Sequence, residues 1–98
     1  MENQYNHTTQ QEYQGGNQQE LMNAKVANKF TADAWLTFLQ ARQCNLKIKK
    51  GSHGVAIFKG LKEYTEKDEA GKVTTKQKPL GFARVFNLDQ TEPMKVNA

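Results

Sequence analysis

NLKIKKGSHGVAIFKG, residues 45–60, alternates apolar and basic side chains, breaks at two glycines and then resumes the alternation. Leu46 and Ile48 fall on one side of a period-2 segment and Lys47 and Lys49 on the other, the pattern of a half-buried strand. Lys50-Gly51-Ser52-His53-Gly54 supplies turn residues. VAIFKGL then reads as a return strand, with Val55 and Ile57 opposite Ala56 and Phe58. The stretch predicts a strand-turn-strand unit with a lysine face.

Upstream the period is helical. Asn17 followed by Glu20 has the spacing of a capping box, and Leu21, Ala24 and either Val26 or Ala27 share one face, which predicts a helix over residues 18–29. Thr37 and Gln40 repeat the capping arrangement, with Leu36 and Ala41 placed as a hydrophobic staple, and predict a second helix over 38–44. Asn45 follows where the chain leaves that helix, and asparagine tolerates the left-handed conformation of such an exit. Cys44 is expected to be a small buried side chain on the helix, and Trp35 a core residue.

Downstream, EYTEKDEAGKVTTKQK (63–78) gives two polar arms around a tip at Asp68–Gly71, a hairpin interrupted by Pro79. LGFARVFNLDQ (80–90) reads as a closing strand with Leu80, Phe82, Phe86 and Leu88 on one apolar face. Arg84 intrudes on that series; a buried arginine needs a partner, so either the face is partly uncovered or Arg84 points at an anion. The fold class expected is α+β, with two short helices packed on a small curved antiparallel sheet of three to five strands and a projecting hairpin.

The 98 residues suffice for one small domain. Mean hydropathy is -0.84, polar for a globular protein, and residues 1–20 contain no Leu, Ile, Val or Phe while nearly half are Gln or Asn. Net charge is +4, but residues 1–24 hold three Glu and no Lys or Arg, so the remainder sets fourteen basic residues against seven acids. Between Asp33 and Glu63 no acid occurs, while Arg42, Lys47, Lys49, Lys50, Lys59 and Lys62 do. Such clustering favours a polyanionic partner.

Other chemistries find little support. His7, His53 and the lone Cys44 have no zinc-site spacing, so no metal or other cofactor is expected. A Cys44 nucleophile with His53 as base needs only hydrogen-bond reach, but a cysteine within an amphipathic helix is more often core. KKGSHG has the composition of a phosphate cradle without the spacing of a P-loop, and a glycine turn serves any hairpin. One cysteine excludes an internal disulfide and, with no apolar run of membrane-span length and no leader, leads to the expectation of a soluble cytoplasmic protein.

YQGGNQQEL (13–21), WLTFLQA (35–41), KIKKGSHGVAIFK (47–59) and VFNLDQTE (85–92) resemble the successive signatures of the N-terminal domain of ArdC-type antirestriction proteins. The resemblance covers Tyr13 to Glu92 in order. It implies a single-stranded-DNA-binding domain of plasmids, phages and other mobile elements. Family members continue into a zinc metallopeptidase-like domain; no such motif occurs before Ala98, so no enzymatic activity is expected, and Asn45 stands where the family commonly has glycine. The resemblance also brings Tyr13–Asn17 into the domain. The expected organisation is a disordered tail over 1–12, the domain over 13–92 and a C-terminal tail over 93–98.

Binding is then expected through phosphates, with charge from Lys47, Lys49 and Lys50, backbone donors from the Gly51-Ser52-His53-Gly54 turn, surface contacts from Lys59 and Arg84, and a stacking face from Tyr64. The alternative is a small inhibitor that binds a host restriction or CRISPR nuclease directly and plugs its nucleic-acid channel. A third reading is a DNA-binding fragment whose missing C-terminal part held the activity.

Overall fold

The computed structural model describes residues 3–94. Its central element is a four-stranded mixed sheet in the order β1 (Tyr5–Asn6), β2 (Ala34–Thr37), β7 (Phe82–Asn87), β4 (Val55–Phe58). The β1–β2 pair is parallel and the other two are antiparallel. Two further two-stranded sheets join β3 (Leu46–Ile48) to β8 (Thr91–Pro93) and β5 (Leu61–Lys67) to β6 (Val73–Pro79). Helices α1 (Gly15–Asn28) and α2 (Phe38–Gln43) and a 3-10 turn at Leu88–Gln90 complete the chain. The α+β class holds, while the single antiparallel sheet is replaced by one mixed and two small sheets.

The segment 45–60 departs most from its expected pairing. Leu46–Ile48 and Val55–Phe58 are both strands, but they do not pair with each other: β3 pairs with β8 and β4 with β7. Residues 49–54 therefore bridge two sheets instead of closing a hairpin. Period-2 alternation defines two faces of a strand but carries no information about its neighbour.

The core forms where α1 covers one face of the sheet. Leu21, Trp35, Ile57 and Val85 are buried there, with Tyr13, Ala24, Phe30, Val55 and Ala83 packed around them. Phe30 meets the Trp35 indole edge-on at 5.9 Å. Val85 and Ala83 are thus the inward side chains of β7, and Phe82, Arg84 and Phe86 belong to the opposite face. The expected orientation of this strand is reversed where α1 covers it: Ala83 and Val85 face the core and Phe82 is exposed, while Phe86, paired with the buried Leu36, is half-buried on the other face.

Residues 3–12, expected as a disordered tail, fold onto the domain. Tyr5 N–H donates to the Asp33 carbonyl and His7 N–H to that of Trp35, which places β1 beside β2. Gln4 is fully buried; its side-chain oxygen accepts the Trp35 indole N–H at 2.7 Å and its amide donates to Asp33 at 2.7 Å. Gln18 donates to the carbonyls of Gln4 and Tyr13, both at 2.9 Å. Lys25 forms an ion pair with Asp33. Burial pushes the Asp33 carboxyl up, but the hydrogen bonds and charge from Lys25 and Gln4 outweigh it, so the acid lies below its usual range. Amide side chains here do what apolar anchors do elsewhere, because a buried indole N–H must find an acceptor. Met1 and Glu2 of the expected tail, and residues 95–98 of the C-terminal one, lie outside the described residues; Pro93 ends β8.

The Thr37–Gln40 capping box forms as expected. Leu36 and Ala41, the staple pair, are both buried, and Asn45 takes φ +58 at the helix exit. Cys44 is exposed, contrary to expectation, because α2 ends one residue earlier and turns its last residues to solvent. Helix α1 starts earlier than expected, with Gln14 at the N-cap position and no side-chain cap. Asn17 is used differently: its amide donates to the Phe58 carbonyl at 2.8 Å and accepts the Phe58 N–H at 2.9 Å, occupying the free edge of β4.

The hairpin expected at 63–78 is present as β5–β6. It prolongs the β4–β7 pair in one register, from Val55↔Val85 to Lys67↔Val73. At the joint, Lys59 N–H donates to Gly81 and Leu80 N–H to Gly60, one bond from each of two successive pairs. A regular ladder exchanges both bonds at every second pair, so the pattern is broken here. Gly60 and Gly81, at φ +103 and +90, supply the backbone geometry for that break. The ribbon stretches the molecule to 62 Å, with a radius of gyration of 17.7 Å. A compact domain of this length has about 13 Å.

Candidate nucleic-acid interface

Two neighbouring features carry Lys49, Lys50 and Arg84. One is the 49–54 loop. Ser52 N–H donates to the Lys49 carbonyl at 3.1 Å, closing a turn with Gly51 at φ +84, a conformation that suits glycine. Gln90, which is buried, holds both ends: its carbonyl accepts Lys49 N–H at 2.8 Å and its side chain donates to the His53 carbonyl at 3.0 Å. The same side chain accepts Asn87 N–H at 2.8 Å. The VFNLDQTE stretch thereby fixes the loop, a role that its sequence does not reveal.

Lys49, Lys50, Gly51 and His53 are exposed, and Ser52 and Gly54 are half-buried. The N–H groups of Gly51 and His53 have no acceptor among the described residues. Lys49, Gly51, Ser52, His53 and Gly54 line one side of an open cavity of about 380 Å³, closed on the other by Asn28, Phe30, Asp89 and Gln90. Asp89 accepts from the Thr31 N–H and hydroxyl, which ties the end of α1 to this rim. Among the described residues no group of three or more His, Cys, Asp or Glu side chains could hold a metal ion, and no helix is long and apolar enough to cross a membrane.

The second feature is the outward face of β4 and β7, where Ala56 lies opposite Arg84 and Phe58 opposite Phe82. It adjoins the loop directly. A Cβ on Gly54 would sit 3.0 Å from Arg84 Cγ, 3.1 Å from Phe86 Cζ and 3.2 Å from the Val85 carbonyl, so the glycine lets these side chains lie against the loop. Arg84 is exposed, which resolves its odd position in the apolar series. Phe82 is 70% exposed and Phe58 39%, their rings 5.6 Å apart.

The other expected residues are placed differently. Lys47 is exposed but its Nζ lies 3.2 Å from Glu92 on the paired strand, so the acid-free run is not acid-free in space. Lys59 is exposed at the glycine joint. Tyr64 is on the ribbon, half-buried, with Lys78 Nζ 5.7 Å from its ring centroid. Sequence reasoning missed Phe82 by turning β7 the wrong way round; it set Phe58 opposite the anchoring Val55 and Ile57, as found, but gave it no role. It also passed over a second acid-free run, Gly71 to Leu88, which carries Lys72, Lys76, Lys78 and Arg84.

The fold and this surface define a class: a small basic α+β domain in which a helix-backed sheet carries an open lysine-glycine loop and runs on into a β-ribbon. The chain belongs to the family of the N-terminal domain of anti-restriction factor ArdC, whose family model matches residues 2–88. The metal-free crystal structure of the antirestriction ArdC protein from R388 plasmid superposes with a TM-score of 0.78 at 20% identity, covering 96% of this chain and 34% of that one. Its Mn(II)-bound structure gives 0.65 at 22% identity, over 95% of this chain and 35% of that one. The chain thus spans about a third of the length of that protein. No curated protein matches it.

Proposed function

We propose that this domain binds single-stranded DNA in the cytoplasm as the nucleic-acid-binding part of an antirestriction protein of a mobile element, mainly through phosphates and without catalysis of its own. The observation that carries the reading is the seat of Arg84 against Gly54 at the end of the lysine loop: Lys49, Lys50 and Arg84 are exposed, the loop has free N–H groups, and no described carboxylate is paired to these cations. Lysine charge tracks a flexible backbone, and loop N–H groups donate to phosphate oxygens. Lys59 and Tyr64 extend the track toward the ribbon. Lys47 contributes less, since it shares its charge with Glu92.

The test is a titration of single-stranded DNA at several salt concentrations, with duplex and RNA for comparison. If about four phosphates are contacted, the log-log slope is about -3, and affinity falls roughly fiftyfold between about 50 and 200 mM salt. Replacing Lys49, Lys50 and Arg84 by Gln flattens the slope by about 2, whereas Lys47→Gln changes it less. An unchanged slope in the triple variant sinks the reading. If that variant binds DNA normally yet no longer blocks a host nuclease in extract, the surface recognises the nuclease itself.

A further inference from the structure

We infer that Phe58 and Phe82 form a stacking platform for unpaired nucleobases, a site that deepens the single-strand reading and rests on it. Phenylalanine on a strand is ordinarily turned inward, yet here two cross-strand partners both face out, and Phe82 keeps 70% of its surface open. The rings incline at 59°, so Phe58 supports Phe82 in a tilted contact and leaves the face of Phe82 available. Asn17 pins the backbone of Phe58 through both of its amide groups, so the platform stands on a fixed strand.

The surroundings choose between a base and an apolar protein partner. Strands β4 and β7 contain no acidic residue, nor do the Lys59-Gly60 and Leu80-Gly81 connections. Arg84 lies two residues from Phe82 on the same face, about 7 Å along the strand, a distance comparable with the reach from a base to its own phosphate. An aromatic face with a cation beside it and the lysine loop beyond suits a strand whose bases stack while its phosphates are held. Every base has a π-face, so the platform is tolerant of sequence.

The experiment compares oligothymidylate with an abasic strand of equal length, which presents the same phosphates without bases. The intact chain is expected to prefer the thymidylate on the order of tenfold. Phe58→Leu/Phe82→Leu, which keeps apolar bulk, should bind both strands at the abasic level, and Phe82→Trp should retain the preference. Equal binding of the two strands by the intact chain overturns the platform while leaving phosphate binding standing. Failure to bind either strand overturns both readings. A preference that survives in the double variant assigns stacking elsewhere, to Tyr64 for example. A dimer in sedimentation that the double variant dissociates would show the face to be a self-association surface, and overturns the platform too.

Discussion

Gln4 shows how much one polar side chain can decide. It lies in the most hydrophilic part of the chain, yet it is fully buried and supplies the acceptor for the only tryptophan. Removing it would strand a buried indole N–H and take a hydrogen bond from Asp33. Gln4→Ala is therefore expected to cost about 1–3 kcal/mol, read as a lower urea midpoint with an unchanged slope. No change in midpoint would mean that the N-terminal segment is dispensable, as its composition implies. Asn17 and Gln90 follow the same logic. Each uses a short amide to satisfy backbone groups far away in sequence, Asn17 at the edge of β4 and Gln90 at the ends of the lysine loop.

Among the elements, the 49–54 loop separates two uses of glycine. At Gly51 the space is open but φ is +84, so an alanine meets only backbone strain. Gly54 has an ordinary φ but no room, its missing Cβ facing Arg84, Phe86 and the carbonyl of Val85. The carbonyl belongs to a central strand and cannot retreat without loosening the sheet. Gly51→Ala should cost about 1–2 kcal/mol and leave the Arg84 environment unchanged. Gly54→Ala should cost about 1–3 kcal/mol and shift the Arg84 and Phe86 resonances in NMR spectra. Equal and small effects at both sites would contradict the packing assigned to Gly54.

The whole molecule has two regimes of stability. The helix-backed sheet holds the buried side chains, whereas every residue of β6 is exposed and β5 has only Tyr64 half-buried. The ribbon is anchored through the glycine joint and gains little from apolar burial, so it is expected to open independently of the core. In hydrogen exchange, the amides of Tyr64 and Lys76, which the ribbon's register places in a hydrogen-bonded pair, should exchange at least about tenfold faster than those of Trp35 and Val85. Uniform protection would show the ribbon to be coupled to the core. An independently opening ribbon could adjust to a bound strand while the loop and Arg84 stay fixed.

Local chemistry was legible without the fold. The Thr37–Gln40 box, the left-handed Asn45, the strand at Leu46–Ile48 and the hairpin tip at Asp68–Gly71 each depend on residues a few positions apart, so their side chains announce them. The resemblance to a family was legible for the same reason, in short ordered motifs. Pairing and inside-outside choice were not. Alternation gave β7 two faces, but only the seat of α1 selected Ala83 and Val85 as the inner one and left Phe82 and Arg84 outside. The neutralisation of Lys47 by Glu92, the capture of residues 3–12 by β2 and the bridging of two sheets by the lysine loop are likewise contacts between distant segments. A sequence states what each segment can bury or bond; only the assembled chain determines which partner arrives.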